Sequence, residues 1–332
     1  MAELELHKVE CWLRRQVVLD SLSMRAPSGR ITALLGDEES GRMTALKVIA
    51  GTEKVQDGAI LIDGEDVLGQ RPGVRSVATV FRTAALMPHR TAYENIAYPL
   101  RIARFDQETI QARTMAVAEH FGLTEVLTQR PKKLPAVQCY QIGLARALVR
   151  DPAVYLFELP ADDDPAIRDL ALAEMRRLRD EFGRTVLYAT GNVDDVRGFA
   201  DWIVVLHEGR RLQMGSFERI VKWPTTRRVA GLFGAKLRAA RVLEVAGDGA
   251  LTVSLKDGTT LELPCDSDGA AAGERATLAI WPEHIGRGGD APVYPPEHCY
   301  LFSEKGRLVL GPSGLPPKRK PKKSARPRAR RR

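Results

Sequence analysis

The chain has 332 residues, 44% hydrophobic and 28% charged, enough apolar material for a sizeable core and for two domains. No run of about 18 apolar residues occurs, which excludes a membrane-spanning helix, and the opening "MAELELHKVECW" lacks the basic start and apolar stretch expected of a secretory leader. The net charge is +8, but the last fifteen residues, "KRKPKKSARPRARRR", hold ten Lys or Arg and no acid, so the body is close to neutral. Like charges interrupted by Pro cannot bury apolar surface, so residues 313–332 are expected to form a disordered basic tail. Nucleic acid is one partner class for it, through counterion release. An anionic lipid surface is another, at about 1 kcal/mol per Lys or Arg, and a solvated tail without a partner stands beside both. Cys11, Cys139, Cys265 and Cys299 are far apart and form no C-x-x-C pair, as in a reduced cytosolic chain.

In chain order, residues 1–232 read as strands alternating with helices. "RITALL", "VATVF", "AVYLF", "TVLYAT" and "WIVVLH" are short apolar runs without polar alternation, which suits a mostly parallel sheet buried on both faces. Between them lie helical patterns: "TALKVIAG" stopped by Gly51, "TIQARTMAVAEHFG" stopped by Gly122 and "PAIRDLALAEMRRLRDEFG" stopped by Gly183. The expected class is α/β with a helical subdomain at about 83–150. Residues 236–312 change character, with short alternating strands and the turn signals "GDG" and "KDG", and predict a small all-β domain of the barrel kind.

One loop raises the question of function. "GDEESGRMT", Gly36–Thr44, spaces its glycines as in G-x-x-x-x-G-K-[ST], the loop whose backbone N–H groups cradle phosphates ahead of a helix. Its flanks fit, a strand before and a helix after. Its chemistry differs, because Arg42 stands at the Lys, Met43 at the first hydroxyl, and Asp37, Glu38 and Glu39 lie inside the loop. A like-charge pair at 4 Å costs about 1 kcal/mol in water and about 4 kcal/mol at an effective dielectric near 20.

Several stretches, in order, resemble the ATP-binding subunit of ABC transporters, in the importer branch that carries a C-terminal TOBE-type β-domain, as in sugar and glycerol-phosphate importers. "SLSMRAPSGRITALLG" resembles the strand leading into the phosphate loop and "KVIAGTEKVQDGAILIDGEDV" the hairpin after it. "SVATVFRTAALMPHRTAYENIAYPLR" resembles the Q-loop segment, and "LARALVRDPAVYLF" the approach to Walker B. "FADWIVVLHEGRRLQMGS" resembles the closing strands, and "GERATLAIWPEHI" and "PPEHCYLFSEKGRL" resemble two TOBE stretches.

The resemblance implies a P-loop NTPase-like ABC ATPase domain with a helical subdomain, plus a shortened TOBE/OB-like domain. It implies ATP and Mg2+ as cofactors, transmembrane permease subunits as partners, and pairing with an intact paralogous ATPase or a second copy. It also implies a place on the inner, cytoplasmic face of the cell membrane. The residues then fall as follows. Gly36, Ser40, Gly41, Arg42 and Thr44 occupy the phosphate loop. Met43 stands where a hydroxyl would hold magnesium; a thioether suits that hard ion poorly, and packing of Met43, Leu46 and Ile49 or Ala50 along one helix face is the preferred reading.

Glu158 is a candidate magnesium contact, and Leu159 stands at the general base, whose loss costs about 10²–10⁴ in rate. Gly191 stands at the switch histidine and Arg82 at the Q-loop glutamine, where pairing with Glu38 or Glu39 is expected. Leu134, Pro135, Ala136, Val137 and Gln138 replace LSGGQ; Pro135 removes a hydroxyl and an N–H together, and Ala136 and Val137 add side chains where backbone must approach phosphate. For Trp12, stacking on a nucleobase and simple burial stay open. Asp162–Asp164 invite a metal reading, but Asp164-Pro165 ahead of an amphipathic run reads as a helix cap. The sequence therefore predicts a retained scaffold with replaced hydrolytic chemistry.

Overall fold

The computed structural model describes residues 2–82, 85–159, 164–246, 250–264, 271–288 and 291–311. It divides into two units, Met1–Pro224 and Thr225–Arg332. The basic tail expected at 313–332 lies outside the described residues, as do Asp162 and Asp163.

The first unit contains two sheets. An antiparallel sheet has the order β2-β1-β4-β5, formed by β1 (Leu4–Leu13), β2 (Gln16–Ala26), β4 (Asp57–Ile62) and β5 (Glu65–Asp66). A six-stranded sheet has the order β10-β9-β3-β8-β7-β6, from β3 (Ile31–Leu35), β6 (Val77–Val80), β7 (Val154–Glu158), β8 (Thr185–Thr190), β9 (Trp202–His207) and β10 (Arg210–Gly215). All pairings in the second sheet are parallel except β9 with β10. The five apolar runs of the sequence supply its parallel strands, and β3 and β8 are buried along their whole length. The antiparallel sheet was hidden in the sequence because bulges break the alternation of β1, at Leu6/Val9 and again at Val9/Cys11.

Helix α1 (Arg42–Ala50) follows the loop and stops at Gly51, whose φ of +79° a side chain would strain. Arg75 closes that end of the helix. Only 4% exposed, it donates from Nη1 to the carbonyls of Val48 and Ile49, at 2.8 and 2.9 Å. Its Nη2 donates to the Leu68 carbonyl at 3.1 Å and its Nε to that of Gln70 at 3.2 Å. Burial lowers the Arg75 pKa, with Asp66 acting in the opposite direction.

The helical segment consists of α2 (Ala92–Ile102), α3 (Gln107–His120) and α4 (Ala136–Leu148). A reciprocal cap starts α2: Thr91 Oγ1 accepts the Glu94 N–H at 3.2 Å and Glu94 Oε2 accepts the Thr91 N–H at 2.8 Å. That backbone bond holds the Glu94 carboxyl below its ordinary pKa. Thr91→Ala is expected to cost about 1 kcal/mol, read from the urea midpoint. Buried Asn95 ties the preceding loop to α2, donating to the Met87 and Thr91 carbonyls and accepting the Met87 N–H. Helix α5 (Pro165–Asp180) begins at Asp164, which accepts the Ile167 N–H at 3.3 Å, with Pro165 first in the helix, the arrangement read from the sequence. Helix α6 (Phe217–Lys222) completes this unit.

The second unit begins with α7 (Arg227–Leu232), which the sequence reading had assigned to the first domain. Its antiparallel sheet has the order β13-β12-β11-β14-β17-β18. The strands are β11 (Lys236–Val245), β12 (Ala250–Leu255), β13 (Thr260–Pro264), β14 (Arg275–Ile280), β17 (Tyr300–Ser303) and β18 (Leu308–Leu310). A short ribbon, β15 (Gly286–Gly288) with β16 (Ala291–Val293), lies between β14 and β17 in the chain. One face buries Val242, Leu251, Val253, Leu278 and Leu301.

Candidate functional site

The strand β3 delivers Gly36 to the end of the parallel sheet, where its N–H donates to the Thr190 carbonyl at 3.2 Å. A Cβ on Gly36 would stand 2.5 Å from the Ser40 side chain, so only glycine fits. A 3-10 turn, Glu38–Ser40, leads to Gly41 at φ +83°, and α1 starts at Arg42. Ser40 points inward: its hydroxyl donates to the Asp37 carbonyl at 2.6 Å, and its own carbonyl accepts the Gly209 N–H at 3.1 Å. Thr44 is buried one turn into α1. Asp37, Glu38 and Glu39 are exposed. The loop keeps the shape of a phosphate cradle at a helix start, with carboxylates around its mouth.

Arg42 turns back on this loop. Its Nη1 donates to the Gly36 carbonyl at 2.8 Å. A Cβ at Gly191 would lie 3.4 Å from that carbonyl oxygen and 3.8 Å from Arg42 Nη2. The guanidinium therefore borders the space that a side chain at 191 would enter. The segment after β8 is held by other bonds. Asp195 contacts both Arg168 and the Thr190 hydroxyl. The Tyr188 hydroxyl donates to the Asp195 carbonyl at 2.8 Å, and burial pushes the Tyr188 phenol pKa up.

A cleft of about 310 Å³ brings together Arg42, Met43, Arg82, Glu158 and Leu159, with Glu38 at its edge. Glu158 Oε2 accepts the Arg82 main-chain N–H at 3.4 Å. The ion pair expected from Arg82 to Glu38 or Glu39 is absent among the described residues; the exposed Arg82 meets Glu158 through its amide instead. Met43 packs against the hydrophobic core, as its helical spacing predicts. Leu159 is 9% exposed and apolar, with no group to accept a proton from water. For magnesium this lining offers two carboxylates, Glu158 and Glu38, but a thioether and no hydroxyl at position 43, and that thioether does not fit the ion. No group of three His, Cys, Asp or Glu suited to a metal occurs among the described residues.

Two predicted positions lie away from this cleft. Pro135 precedes α4 without any side-chain cap bond, and Pro135 and Ala136 are exposed. Leu134, Val137 and Gln138 are half-buried around them. Trp12, 48% exposed, stands near the tip of the β1–β2 hairpin, where Gln56 accepts its main-chain N–H; its neighbour Leu13 packs on the core.

A second concavity of about 420 Å³ lies beside the helical segment, lined by Phe81, Met87, Tyr98, Pro99, Ile102 and Arg146 among others. Tyr98 and Ile102, one turn apart on α2, are exposed apolar side chains. Arg146 braces the wall by donating to the Ala85 carbonyl at 2.9 Å, and Arg150 does so by donating to the carbonyls of Gly73, Arg75 and Val77. Burial lowers both arginine pKa values. The stretch 76–101 singled out in the sequence contains Tyr98 but not Ile102, and the spacing of the two was the available signal for the pair.

Comparison with known proteins places this geometry. The ABC transporter family model matches residues 19–161. The sn-glycerol-3-phosphate import ATP-binding protein UgpC of Paraburkholderia xenovorans is 33% identical over 298 residues, covering 88% of this chain and 82% of that protein. The chain belongs to the ABC transporter family, as an importer-type ATP-binding subunit. The maltose/maltodextrin import ATP-binding protein MalK of Vibrio cholerae is 30% identical, covering 83% and 76% of the two chains. Among solved structures, CbiO1 of Clostridium perfringens, part of an ABC transporter complex, aligns with a TM-score of 0.57 at 21% identity, covering 65% of this chain and 89% of that one. That likeness shows the fold: an ABC ATPase P-loop domain, here followed by an all-β C-terminal domain. The family uses ATP and magnesium; in this chain Met43, Leu159 and Gly191 stand at the positions read from the resemblance as the magnesium hydroxyl, the general base and the switch histidine.

Proposed function

We propose that this chain is the ATP-binding-cassette subunit of an importer for a small solute of the carbohydrate or glycerol-phosphate class, and that it serves as a non-hydrolysing structural or regulatory partner. One contrast carries the reading. The apolar groove at Tyr98 and Ile102 is fully built, while the phosphate cleft has lost its magnesium donor and its general base. The relatives named for glycerol-phosphate and maltose import support the solute class. The groove takes the permease subunits, which holds the protein at the inner face of the membrane. No helix among the described residues is long and apolar enough to cross a membrane.

A competent paralogue completes the ATPase pair. Because LPAVQ is also altered, the paralogue's own nucleotide would face a poor signature segment, and a homodimer of this chain would hydrolyse nothing. A slow ATPase using Arg42 and Glu158 is the second reading, favoured by the retained Gly36–Gly41 geometry.

Two measurements on the full chain test this. Ligand at 100 times its Kd stabilises a protein by about 2.7 kcal/mol. The expected result is no magnesium-dependent thermal shift with ATP and no phosphate release above background; a clear shift with phosphate release moves the assignment to the slow ATPase. Ile102→Glu is expected to abolish co-purification with co-expressed importer permease subunits, and retained co-purification would count against the groove as their docking site.

A further inference from the structure

The β-domain brings two histidines face to face. Two 3-10 turns of the same make, Pro282–His284 and Pro296–His298, each end in Glu-His. In each, the His main-chain N–H donates to the carbonyl just before the turn, Trp281 at 2.9 Å and Pro295 at 3.0 Å. Equivalent turns present equivalent side chains: the rings of His284 and His298 stack with centroids 3.9 Å apart and 7° between their planes. Buried flanks hold the two turns together. Trp281, ahead of the first, meets Tyr300, beyond the second, edge-on at 5.0 Å. Cys299, after the second turn, lies in the core of the β-domain, and Ile285, after the first, packs against that core. The ribbon of β15 and β16 leaves from one turn and returns to the other.

Burial does not explain the pair, because His284 is exposed and His298 only half-buried. Hydrogen bonding does not explain it either. Among the described residues neither ring makes a hydrogen bond or an ion pair, so its nitrogens are open to a ligand. Glu283 and Glu297, each one residue before its histidine, are exposed, and among the described residues neither pairs with a cation. The nearby sulfur is turned away: the buried Cys299 thiol donates to the Pro295 carbonyl at 3.3 Å. What faces solvent is two imidazoles with a carboxylate beside each in the chain, and no thiolate.

We propose that His284 and His298 form a two-imidazole site for a divalent transition-metal ion of the Zn2+, Ni2+ or Cu2+ class, and that the ion ties together the two turns at the base of the β15–β16 ribbon. Imidazole nitrogen suits these ions. Two nitrogens held at about 2.0–2.1 Å from one tetrahedral ion stand about 3.3 Å apart. Rings with centroids 3.9 Å apart come to that separation by a small side-chain rotation. No group of three ligating side chains occurs among the described residues, so water completes the shell. Glu283 and Glu297 add negative charge close to the cation. Magnesium is not the ion for this pair, since it takes oxygen ligands. The site is therefore independent of the phosphate cleft in the first unit and of its magnesium chemistry.

The test uses the full chain without a metal-binding tag, stripped with chelator and titrated with Zn2+, Ni2+ and Cu2+ by calorimetry and thermal unfolding. The expected result is saturable binding of about one ion per chain, tightest for Cu2+, that excess Mg2+ does not displace. The ion should raise the melting point, because it binds the folded chain. His284→Gln or His298→Gln should weaken binding by at least about tenfold, the least that even an outer-shell partner of a metal is worth. The double variant should bind no ion. His7, His89, His120 and His207 are present throughout, so adventitious capture by them would survive the double change. Electron paramagnetic resonance of the Cu2+ form should show coupling to two nitrogens, and to one in each single variant. In chelator, His284→Gln should melt with the unmodified chain, since its ring is exposed; a lower melting point would make the pair a packing contact instead. That result, absence of saturable binding, equal affinity in the single variants, or binding that survives the double change would each overturn the proposal.

Discussion

Arg75→Ala is expected to destabilise the first unit by about 3–5 kcal/mol, the loss of charge-assisted hydrogen bonds plus buried acceptors left unpaired. The measurement is a fall in urea midpoint with an unchanged slope. The size follows from what the guanidinium touches. Its Nη1 alone serves two carbonyls at the end of α1, Val48 and Ile49, and its other nitrogens serve Leu68 and Gln70. Helix ends leave carbonyls without intrahelical partners; the Gly51 N–H also reaches the Val48 carbonyl at 3.1 Å, so the buried Ile49 carbonyl depends most on Arg75, and water does not replace the missing donor there. Arg75→Lys keeps the charge but presents three donors from one point, so it should recover only part of the loss. Gly51→Ala should also be strongly destabilising, since its Cβ would stand 2.7 Å from Arg75 Cζ at a φ of +79°. If Arg75→Ala proved neutral, α1 would have to be closed by other donors.

Arg75 also shows where sequence reading stops. The parallel strands were legible because a strand buried on both faces must be continuously apolar, and "TVLYAT" and "RITALL" are. The cap at Asp164 and the packing of Met43 were legible because their partners lie within a turn or two of the same helix. Arg75 reaches carbonyls 26 and 27 residues away, and nothing in the local pattern marks it. The same holds for Arg241 and Arg275, which become neighbours only through the β11–β14 register. In the cleft, residue chemistry was readable one position at a time. The meeting of Arg42 with the space beside Gly191 was not, because it depends on how one side chain folds back across the loop.

That meeting sets the second large effect. Reversal of single positions in the cleft is expected to fail, and reversal of pairs to succeed. Gly191→His alone sets an imidazole beside the Arg42 fork, with the new Cβ in ordinary van der Waals contact at 3.8 Å from Nη2, but leaves Met43 and Leu159 in place of a hydroxyl and a general base. It should yield neither a magnesium-dependent nucleotide shift nor phosphate release. Arg42→Lys with Met43→Ser replaces the folded-back fork by a compact ammonium and restores a hydroxyl for magnesium. This pair should create a magnesium-dependent shift with ATP, at a stability cost of about 1–3 kcal/mol for emptying the half-buried Met43 position. Leu159→Glu and Gly191→His, added to that pair, should then raise phosphate release by about 10²–10⁴, the contribution of a general base. In the proposed pairing that gain needs a working signature segment across the pair, so it is measured with Pro135→Ser, Ala136→Gly and Val137→Gly in the same chain. Because these groups act as a unit, each added alone to the unmodified chain should do almost nothing. Phosphate release from Gly191→His alone would show that the cleft is closer to a working ATPase than its residues indicate.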